Sequence, residues 1–321
     1  MKNSVVLATY NGEKYIVEQL DSIRNQTLPP DEVVIRDDGS TDHTSEIIKK
    51  YIVDYGLNWD FKINEKNKGF YFNFIDAIKE CTGNVIYLSD QDDVWDLRKI
   101  KIFSSFYQMH PEVTMIQSSF KFIDGDGNDL SAKELYHGKK PAEEPIFLNT
   151  IDMFKFAGSG FTMSFRSSVS DRVFEEGFEK KIDVFVYHDL LLGQMATVLG
   201  NCYLMTGIVD AHRLHANNET QQKGKSSIAD RTKQMQLDIL KRRSEQCDYI
   251  SKIASSKKNE DIQKIKCFTD ERIMLIRNKK IGKVKELARA LNLYMSKRGL
   301  VTDIMYAFGM EKVLLELYKK M

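Results

Sequence analysis

Short apolar strands alternate with amphipathic helices along the first part of the chain, and this alternation constrains the fold more than any other feature. Strand, helix and strand at this spacing predict a parallel sheet with right-handed crossovers. Ligands of such sheets bind beyond the carboxyl ends of the strands. The predicted strands cover residues 4–8, 32–36, 59–63 and 85–88, and the predicted helices between them cover residues 13–25, 44–55 and 72–80.

The pattern of predicted strands and helices changes in the rest of the chain. Strands are predicted at Val113 to Ile123 and around Leu130, joined by a hairpin turn at "DGDGND", and a helix is predicted from Asp189 to Leu199. From about Ser226 the sequence has long helical periodicity with frequent Lys and Arg. We therefore predict an α/β domain over residues 1–220 and an appended basic helical region over residues 221–321. Three more strands are predicted at residues 161–166, 202–205 and 208–211.

Composition and charge set limits on the class of protein. With 42% hydrophobic residues and 5 prolines in 321 residues, the chain has a globular composition. Its apolar runs are shorter than the roughly 20 residues of a membrane span, and no signal peptide is recognisable, so we expect a cytoplasmic protein.

The charge is distributed unevenly along the chain. Residues 221–321 hold 24 Lys and Arg against 12 Asp and Glu, whereas the first 220 residues hold 23 Lys and Arg against 34 Asp and Glu. This asymmetry suggests a polyanionic neighbour for the second part.

The stretch "YLSDQDDVWD" places Asp90, Asp92 and Asp93 directly behind a predicted buried strand. Neighbouring carboxylates repel one another unless a positive charge lies between them. They supply the hard oxygen ligands that Mg²⁺ or Mn²⁺ uses when it also binds a diphosphate. The alternative is a solvated acidic turn that caps the helix predicted near Leu97. A cap needs one carboxylate rather than three, so the metal interpretation is favoured.

A second acidic loop, "IRDDGSTDHT", follows the second strand. Asp38 is placed there to accept hydrogen bonds from the NH and OH groups of a base or ribose. The alternative is that Ser40 or Asp42 only caps the helix predicted at Thr44. Taken alone, this loop leaves both interpretations open.

Seven segments together resemble family 2 glycosyltransferases, and most closely bacterial rhamnosyltransferase-like enzymes of cell-wall and capsular polysaccharide synthesis. The resemblance covers roughly residues 3–220. It implies the GT-A fold, a nucleotide-sugar donor, a divalent metal and inversion at the anomeric carbon. The segments are "LATYNG", "VVIRDDGSTDHT", "NKGFYFNF", "YLSDQDDVW", "GSGFTMSF", "YHDLLLGQMATVLG" and "AHRLHANN".

Position by position, the resemblance also implies roles. It makes Asp189 the general base, although a helix cap is the alternative for this residue. It assigns metal binding to Asp92, Asp93 and His215, while a lone histidine such as His215 is also compatible with an ordinary structural role. The nucleotide-sugar site is assigned to Ala8, Tyr10, Asp38, Asn67, Gly69, Asp90 and Arg213.

The resulting hypothesis is an inverting, metal-dependent transfer from a UDP- or dTDP-sugar to a saccharide acceptor, either lipid-linked or a growing polysaccharide. A sugar nucleotidyltransferase and a non-catalytic nucleotide-binding module are the alternatives. Nucleic acid is not expected as a partner, because the basic region has no ordered pattern of stacking aromatics. That region is predicted to dock on an anionic inner membrane face, to form a homodimer interface or to be a solvated helical face.

Overall fold

The computed structural model describes residues 1–130, 144–155, 159–215, 218, 232–294 and 298–319. Within these residues, the chain divides into two compact units. The α/β unit comprises residues 1–149, 157–182 and 186–214, and the helical unit comprises residues 150–156, 183–185 and 215–321. None of the described helices is both long enough and apolar enough to cross a membrane.

Eight described strands form one sheet in the α/β unit, in the order β3-β2-β1-β4-β7-β5-β8-β6. The pairs β1–β2, β1–β4, β2–β3 and β5–β8 are parallel, whereas β7 is antiparallel to both β4 and β5. The mostly parallel α/β fold predicted from the strand and helix alternation is confirmed. The strands are β1 (Asn3–Thr9), β2 (Glu32–Asp37), β3 (Asp60–Ile63), β4 (Val85–Asp90), β5 (Val113–Ile123), β6 (Ile146–Leu148), β7 (Met163–Arg166) and β8 (Asn201–Arg213).

The helices of the α/β unit cover the sheet with apolar faces. Ile16, Leu20 and Ile23, spaced three and four residues apart, are fully buried against strand residues such as Val5 and Leu7. This packing fixes the strands, so that the loops at their carboxyl ends are held in place. The helices are α1 (Ile16–Arg24), α2 (Thr44–Asp54), α3 (Phe70–Glu80), α4 (Lys99–Met109), α6 (Ser167–Glu175) and α7 (His188–Leu199).

The helical unit has cores of its own. Leu237, Leu240, Ile276 and Tyr306 belong to one buried apolar cluster, and a second cluster surrounds Phe268 and neighbouring helices. The predicted boundary between residues 220 and 221 lies outside the described residues and stays a prediction. The helices of this unit are α5 (Thr150–Lys155), α8 (Lys233–Ser251), α9 (Ser256–Asn278), α10 (Lys283–Arg289), α11 (Gly299–Ala307) and α12 (Glu311–Lys319).

Several predicted elements differ in detail. The predicted strand around Leu130 is wrong, because the described chain forms only a single bridge there between Ile123 and Asp129. The two closing strands predicted on either side of residues 206 and 207 are one continuous strand, β8, whose pairing with β5 shifts register at Ser118 and Ser119. The irregular register lets the strand continue past Gly207. Strand β6 and helices α5 and α6 were not anticipated.

Candidate active site

The loops that follow β1, β2 and β4 are connected to one another by hydrogen bonds. Gln91 accepts a bond from the Tyr10 backbone N–H (2.7 Å) and donates one to the Tyr10 carbonyl (2.9 Å). The Asn11 side chain accepts from the Thr41 N–H (2.8 Å), and Ser40 accepts from the Asn11 N–H (2.9 Å). These contacts bring the loops at the carboxyl ends of the three strands together at one edge of the sheet.

Asp38 lies buried beside the segment that carries Asn67 and Gly69. One carboxylate oxygen of Asp38 accepts from the Asn64 amide (2.8 Å) and the Lys68 N–H (2.9 Å), and the other accepts from the Gly69 N–H (2.8 Å). Gly69 has a φ of 83°, which disfavours any side chain at this position. The Gly69 N–H also donates to the Asn67 side chain (3.0 Å), so the structure brings Asp38, Asn67 and Gly69 together. Their assignment to the nucleotide sugar stays a prediction.

Two other residues assigned to the nucleotide sugar lie near the same sheet edge. Ala8 is aligned with Arg36 on one side and with Asp90 on the other, so it separates the two acidic loops in the sheet. Tyr10 follows directly after the first strand and is exposed. An exposed aromatic ring at this sheet edge can stack on a base.

The end of β4 and the loop that follows it, residues 90–93 ("DQDD"), are called the acidic loop below, and they contain carboxylates that the protein leaves incompletely compensated. Burial, together with repulsion from Asp93 and Asp92, raises the pKa of Asp90 well above its usual value. Asp93 is buried, and one of its oxygens is 2.8 Å from His212 Nδ1 and accepts from the Arg213 N–H (3.1 Å). The other oxygen of Asp93, Oδ2, is buried with no hydrogen-bond partner among the described residues. Such a group is costly unless a ligand completes it.

The donor set of this loop fits a divalent cation. Among the described residues, no group of three or more His, Cys, Asp or Glu side chains is arranged to hold a metal ion by itself. A Mg²⁺ ion in a nucleotide site needs only one or two carboxylates, because phosphates and water complete its coordination. The buried, unpartnered Asp93 Oδ2 is the kind of atom that such an ion would satisfy. His215 begins the last part of the helical unit, where its N–H donates to the Asn218 side chain, and its assignment as a ligand stays a prediction.

Arg213 is fully buried and its guanidinium contacts protein groups. It donates to the Glu18 carboxylate (2.5 Å), to the Asp92 carbonyl (3.1 Å) and to the Asp124 carbonyl (3.2 Å), and it lies over the Tyr15 ring. These contacts fix the backbone of the acidic loop to β8 and α1. The contact with a diphosphate that we expected for Arg213 stays a prediction.

Asp189 lies in the first turn of α7. The N-cap position belongs to Tyr187, so Asp189 does not occupy the cap position. Its carboxylate accepts from the Leu190 N–H (2.7 Å) and from the Gly160 N–H. Burial raises the pKa of Asp189 to about 7, and the negative charge of Asp189 contributes to the raised pKa of Asp90. The two carboxylates are thus within electrostatic reach of each other, and Asp189 has the proton affinity of a base that works near neutral pH.

Two histidines of the site were missed by the sequence reasoning. His212 bonds to Asp93, and although burial alone would lower the pKa of His212, the carboxylates Asp93, Asp92 and Asp90 raise it to about 9. His188 stacks on Phe74 with ring centroids 4.0 Å apart, and burial lowers the pKa of His188 to about 3. Both residues stand next to assigned positions in the sequence. The sequence did contain a signal for His212. Successive side chains of a strand point to opposite faces, so His212 and Arg213 on β8 have different surroundings and each had to be considered separately.

Comparison with known sequences places this geometry in context. Residues 4–178, more than half of the chain, match the sequence model of glycosyl transferase family 2. The chain is 35% identical over 154 residues to the poly(ribitol-phosphate) beta-N-acetylglucosaminyltransferase TarS of Staphylococcus aureus. This alignment covers 47% of this chain and 25% of TarS. The chain is 26% identical over 205 residues to the chondroitin synthase of Escherichia coli, and this alignment covers 61% of this chain and 30% of the synthase. The chain thus spans about a quarter to a third of these relatives.

Solved structures share the fold. The crystal structure of S. aureus TarS 1–349 in complex with UDP-GlcNAc has a TM-score of 0.65 at 19% identity and covers 100% of this chain and 92% of that one. The mannosyltransferase PcManGT of Pyrobaculum calidifontis, in complex with GDP-Man and Mn²⁺, has a TM-score of 0.53 at 14% identity and covers 100% of this chain and 88% of that one. At these identities the likeness concerns the fold, which is the predicted GT-A fold.

Proposed function

Because the chain belongs to glycosyltransferase family 2, we propose that it transfers a sugar from a UDP- or dTDP-sugar to a saccharide hydroxyl, with inversion and with a divalent metal. One observation carries the proposal. The α/β unit holds an under-compensated acidic loop and, within electrostatic reach of it, the Asp189 carboxylate, whose pKa is about 7. A transferase of this type needs a place for a diphosphate and a base for the acceptor hydroxyl, and these two features supply them.

Asp189 is the residue proposed to act on the acceptor. Its carboxylate takes the proton of the acceptor hydroxyl as that oxygen attacks the anomeric carbon from the face opposite the diphosphate. A pKa near 7 leaves a large fraction of Asp189 ionised at neutral pH and still basic enough to accept the proton. No second carboxylate is required as an acid, because the leaving diphosphate is not protonated in this scheme.

The acidic loop is proposed to receive the diphosphate end of the donor. Asp92 and Asp93, with His215 as a further ligand, would hold Mg²⁺ or Mn²⁺, and Asp90 would lie against the sugar diphosphate. When bound, the ion neutralises the charge that develops on the leaving nucleoside diphosphate. The Mn²⁺ bound with GDP-Man in PcManGT supports the choice of ion, and UDP-GlcNAc in TarS supports a uridine donor. The buried Asp38 is proposed to accept a hydrogen bond from the base.

Ligand-dependent melting tests the donor and metal assignments. We expect UDP- or dTDP-sugars to raise Tm only with Mn²⁺ or Mg²⁺ present, because the ion joins the diphosphate to the loop. Asp92→Ala should abolish this increase. Asp126→Ala removes an exposed carboxylate from a different loop and is the matched control. Stabilisation by GDP-sugars alone would contradict the base assignment.

Product analysis separates the transferase from the two alternatives. With a panel of saccharide acceptors, a transferase releases UDP or dTDP in proportion to the elongated acceptor. A sugar nucleotidyltransferase would instead release pyrophosphate from a nucleoside triphosphate and a sugar phosphate. A non-catalytic module would bind the donor without consuming it, so either result would refute the transfer reaction.

The helical unit is proposed to have a separate task, since residues 1–220 carry the assigned site and residues 221–321 carry the basic helices. Helices α8 and α9 are antiparallel, because Ser244 bonds Asp270 (2.6 Å) and Lys266 bonds Asp248 (2.9 Å). Helix α11 runs in the direction of α9, because Arg272 pairs with Asp303 and the next turns of both helices share a core cluster. The start of α8 and the ends of α9 and α11 therefore lie at one end of this unit.

That end, which we call the basic end, combines apolar and cationic groups. Its exposed apolar side chains are Met235, Ile239, Ile281, Phe308, Met310 and Val313. The cations along these segments include Lys233, Arg277, Lys279, Lys280 and Lys312, and the acidic side chains include Asp238, Glu286 and Glu311. An anionic lipid surface complements both properties, and each basic residue near such a surface contributes about 1 kcal/mol. We propose that the basic end docks on the anionic inner face of the cell membrane, where a lipid-linked acceptor would be met.

Vesicle sedimentation tests the docking surface. We expect binding to vesicles that contain phosphatidylserine at low salt, and weaker binding to neutral vesicles or at high salt. Ile281→Ser and Phe308→Ser should weaken binding, whereas Val53→Ser, an exposed position of the α/β unit, should not. Absence of binding to anionic vesicles would refute docking. Concentration-dependent sedimentation that the same two variants abolish would assign the basic end to a homodimer instead.

A further inference from the structure

A buried ion pair lies beneath the candidate active site. Lys99 and Asp210 are both fully buried, and Lys99 Nζ is 2.7 Å from Asp210 Oδ2. Asp210 also accepts from the Asp96 N–H (3.0 Å) and from the Ser118 hydroxyl. Replacement of such a pair by apolar residues is often neutral or stabilising, so its presence needs a reason other than stability.

Lys99 also holds the short 3-10 turn Gly160–Thr162, which together with the preceding Ser159 we call the SGFT turn. Lys99 Nζ donates to the Phe161 carbonyl (2.6 Å), and Trp95 Nε1 donates to the same carbonyl (3.1 Å). The ammonium lies 4.2 Å from the centroid of the Trp95 ring. Two donors on one carbonyl fix this turn to the residues that directly follow the acidic loop.

The SGFT turn contacts both parts of the proposed chemistry. On one side, the Phe161 ring stacks on His212 with centroids 5.1 Å apart, and His212 bonds Asp93 of the acidic loop. On the other side, the Gly160 N–H donates to Asp189. A side chain at position 160 would approach His188 Nε2 to 3.3 Å, so glycine allows the close contact with α7.

We propose that Lys99 is a positioning residue: paired with Asp210, it holds the SGFT turn so that the general base and the acidic loop keep a fixed separation. This inference rests on the proposed function and goes beyond it, because Lys99 itself contacts neither substrate nor base. Misplacement of a reacting group by about 1 Å can cost 100-fold in rate. A loosened turn would therefore reduce the rate of transfer while leaving the nucleotide site at Asp38 unchanged.

The decisive variant is the double substitution Lys99→Met with Asp210→Asn. It removes both charges at similar side-chain volume and so avoids an uncompensated buried ion. We expect kcat for transfer to fall about 10- to 100-fold, with the donor KM and the nucleotide-dependent increase in Tm changed by less than about threefold. Trp95→Phe removes one of the two donors to Phe161 and should have a smaller effect of the same kind. Lys101→Met, at an exposed position on α4, is the control.

A second readout does not depend on turnover. Carboxyl NMR titration of the protein without nucleotide measures the pKa of Asp189, which the Gly160 N–H lowers. The charged or titratable groups that face Asp189 are Asp90 and its neighbour His188, and neither is changed by the substitutions. We expect the pKa of Asp189 to rise in the double variant, because the Gly160 hydrogen bond weakens.

The outcomes separate the two proposals. If the wild-type protein transfers no sugar, the proposed function fails, and the titration of Asp189 still decides the role of Lys99. An unchanged Asp189 pKa with unchanged kcat in a folded double variant overturns the positioning role. A parallel loss of Tm, nucleotide binding and kcat also overturns it, because that result describes general destabilisation.

Discussion

Both units bury aspartates, but Asp303 of the helical unit has partners for both of its oxygens, whereas Asp93 of the α/β unit, among the described residues, does not. Asp303 is fully buried and accepts bonds from Arg272 Nε (2.6 Å), Arg272 Nη2 (3.1 Å), the Tyr294 hydroxyl (2.8 Å) and Gln236 (3.4 Å). In the α/β unit, Asp93 keeps a buried oxygen without a partner among the described residues. A fully partnered carboxylate leaves no uncompensated buried group, whereas an incompletely partnered one costs stability that a ligand can recover.

The largest expected effect concerns Asp189. Asp189→Asn keeps the shape of the side chain but cannot take a proton from an acceptor, so we expect transfer to slow about 10²- to 10⁴-fold. The increase in Tm with nucleotide and Mn²⁺ should persist, because Asp38 and the acidic loop are unchanged. Steady-state release of UDP or dTDP measures the rate. Activity within tenfold of the wild type would remove Asp189 from the role of base.

The opposite behaviour is expected for Asp303. Asp303→Ala leaves the Arg272 guanidinium buried without its counter-ion, and breaking a buried pair in this way costs about 3–5 kcal/mol. Urea unfolding followed by circular dichroism measures the loss. The double variant Asp303→Leu with Arg272→Met removes both charges and should recover most of it. A loss below about 1 kcal/mol for Asp303→Ala would show that partner number does not distinguish Asp303 from Asp93.

The sequence predicted the fold because periodicity reports local structure well. The strands β1, β2 and β4 and the loops after them follow from apolar runs and polar ends, and the meeting of Asp38 with Gly69 follows from the shared sheet edge. Strand β6 was missed because it has only three residues, Ile146–Leu148, which is too short for an alternating pattern to stand out.

The sequence could not predict which side chains of the site contact one another. Asp90, Asp92 and Asp93 look alike in "SDQDD", yet only the folded chain shows that Asp93 turns toward His212. Arg213 was assigned to the nucleotide-sugar site by the family resemblance, and the structure places it against Glu18, a residue 195 positions away. Nor could Lys99 and Asp210 be paired by any local rule, because 111 residues separate them. Long-range contacts of this kind depend on the sheet order.

A pH dependence of stability sharpens the comparison. The folded-state pKa of Asp189 lies above its usual value, so the protonated group favours the folded state below about pH 4, and this contribution is lost as the pH rises through about 7. Asp189→Asn should therefore melt near the wild-type temperature at pH 4 and several degrees higher at pH 8. With allowance for partial exposure, the difference is on the order of 2 kcal/mol. Differential scanning calorimetry of both proteins across this range is the measurement, and equal Tm values at pH 8 would contradict the raised pKa.

The smallest effect is expected where an ion pair of the helical unit is exposed. Lys264 Nζ lies 3.0 Å from Asp261, and both side chains face solvent to a large extent. Water solvates both charges after either partner is removed, so Lys264→Ala should change Tm by less than about 1 °C. Thermal melts of this variant beside Asp303→Ala compare an exposed with a buried pair in one unit. A large loss for Lys264→Ala would mean that pairing alone, rather than burial with pairing, sets the stability contribution. The contrast between Asp303 and the carboxylates of the active site would then need another explanation.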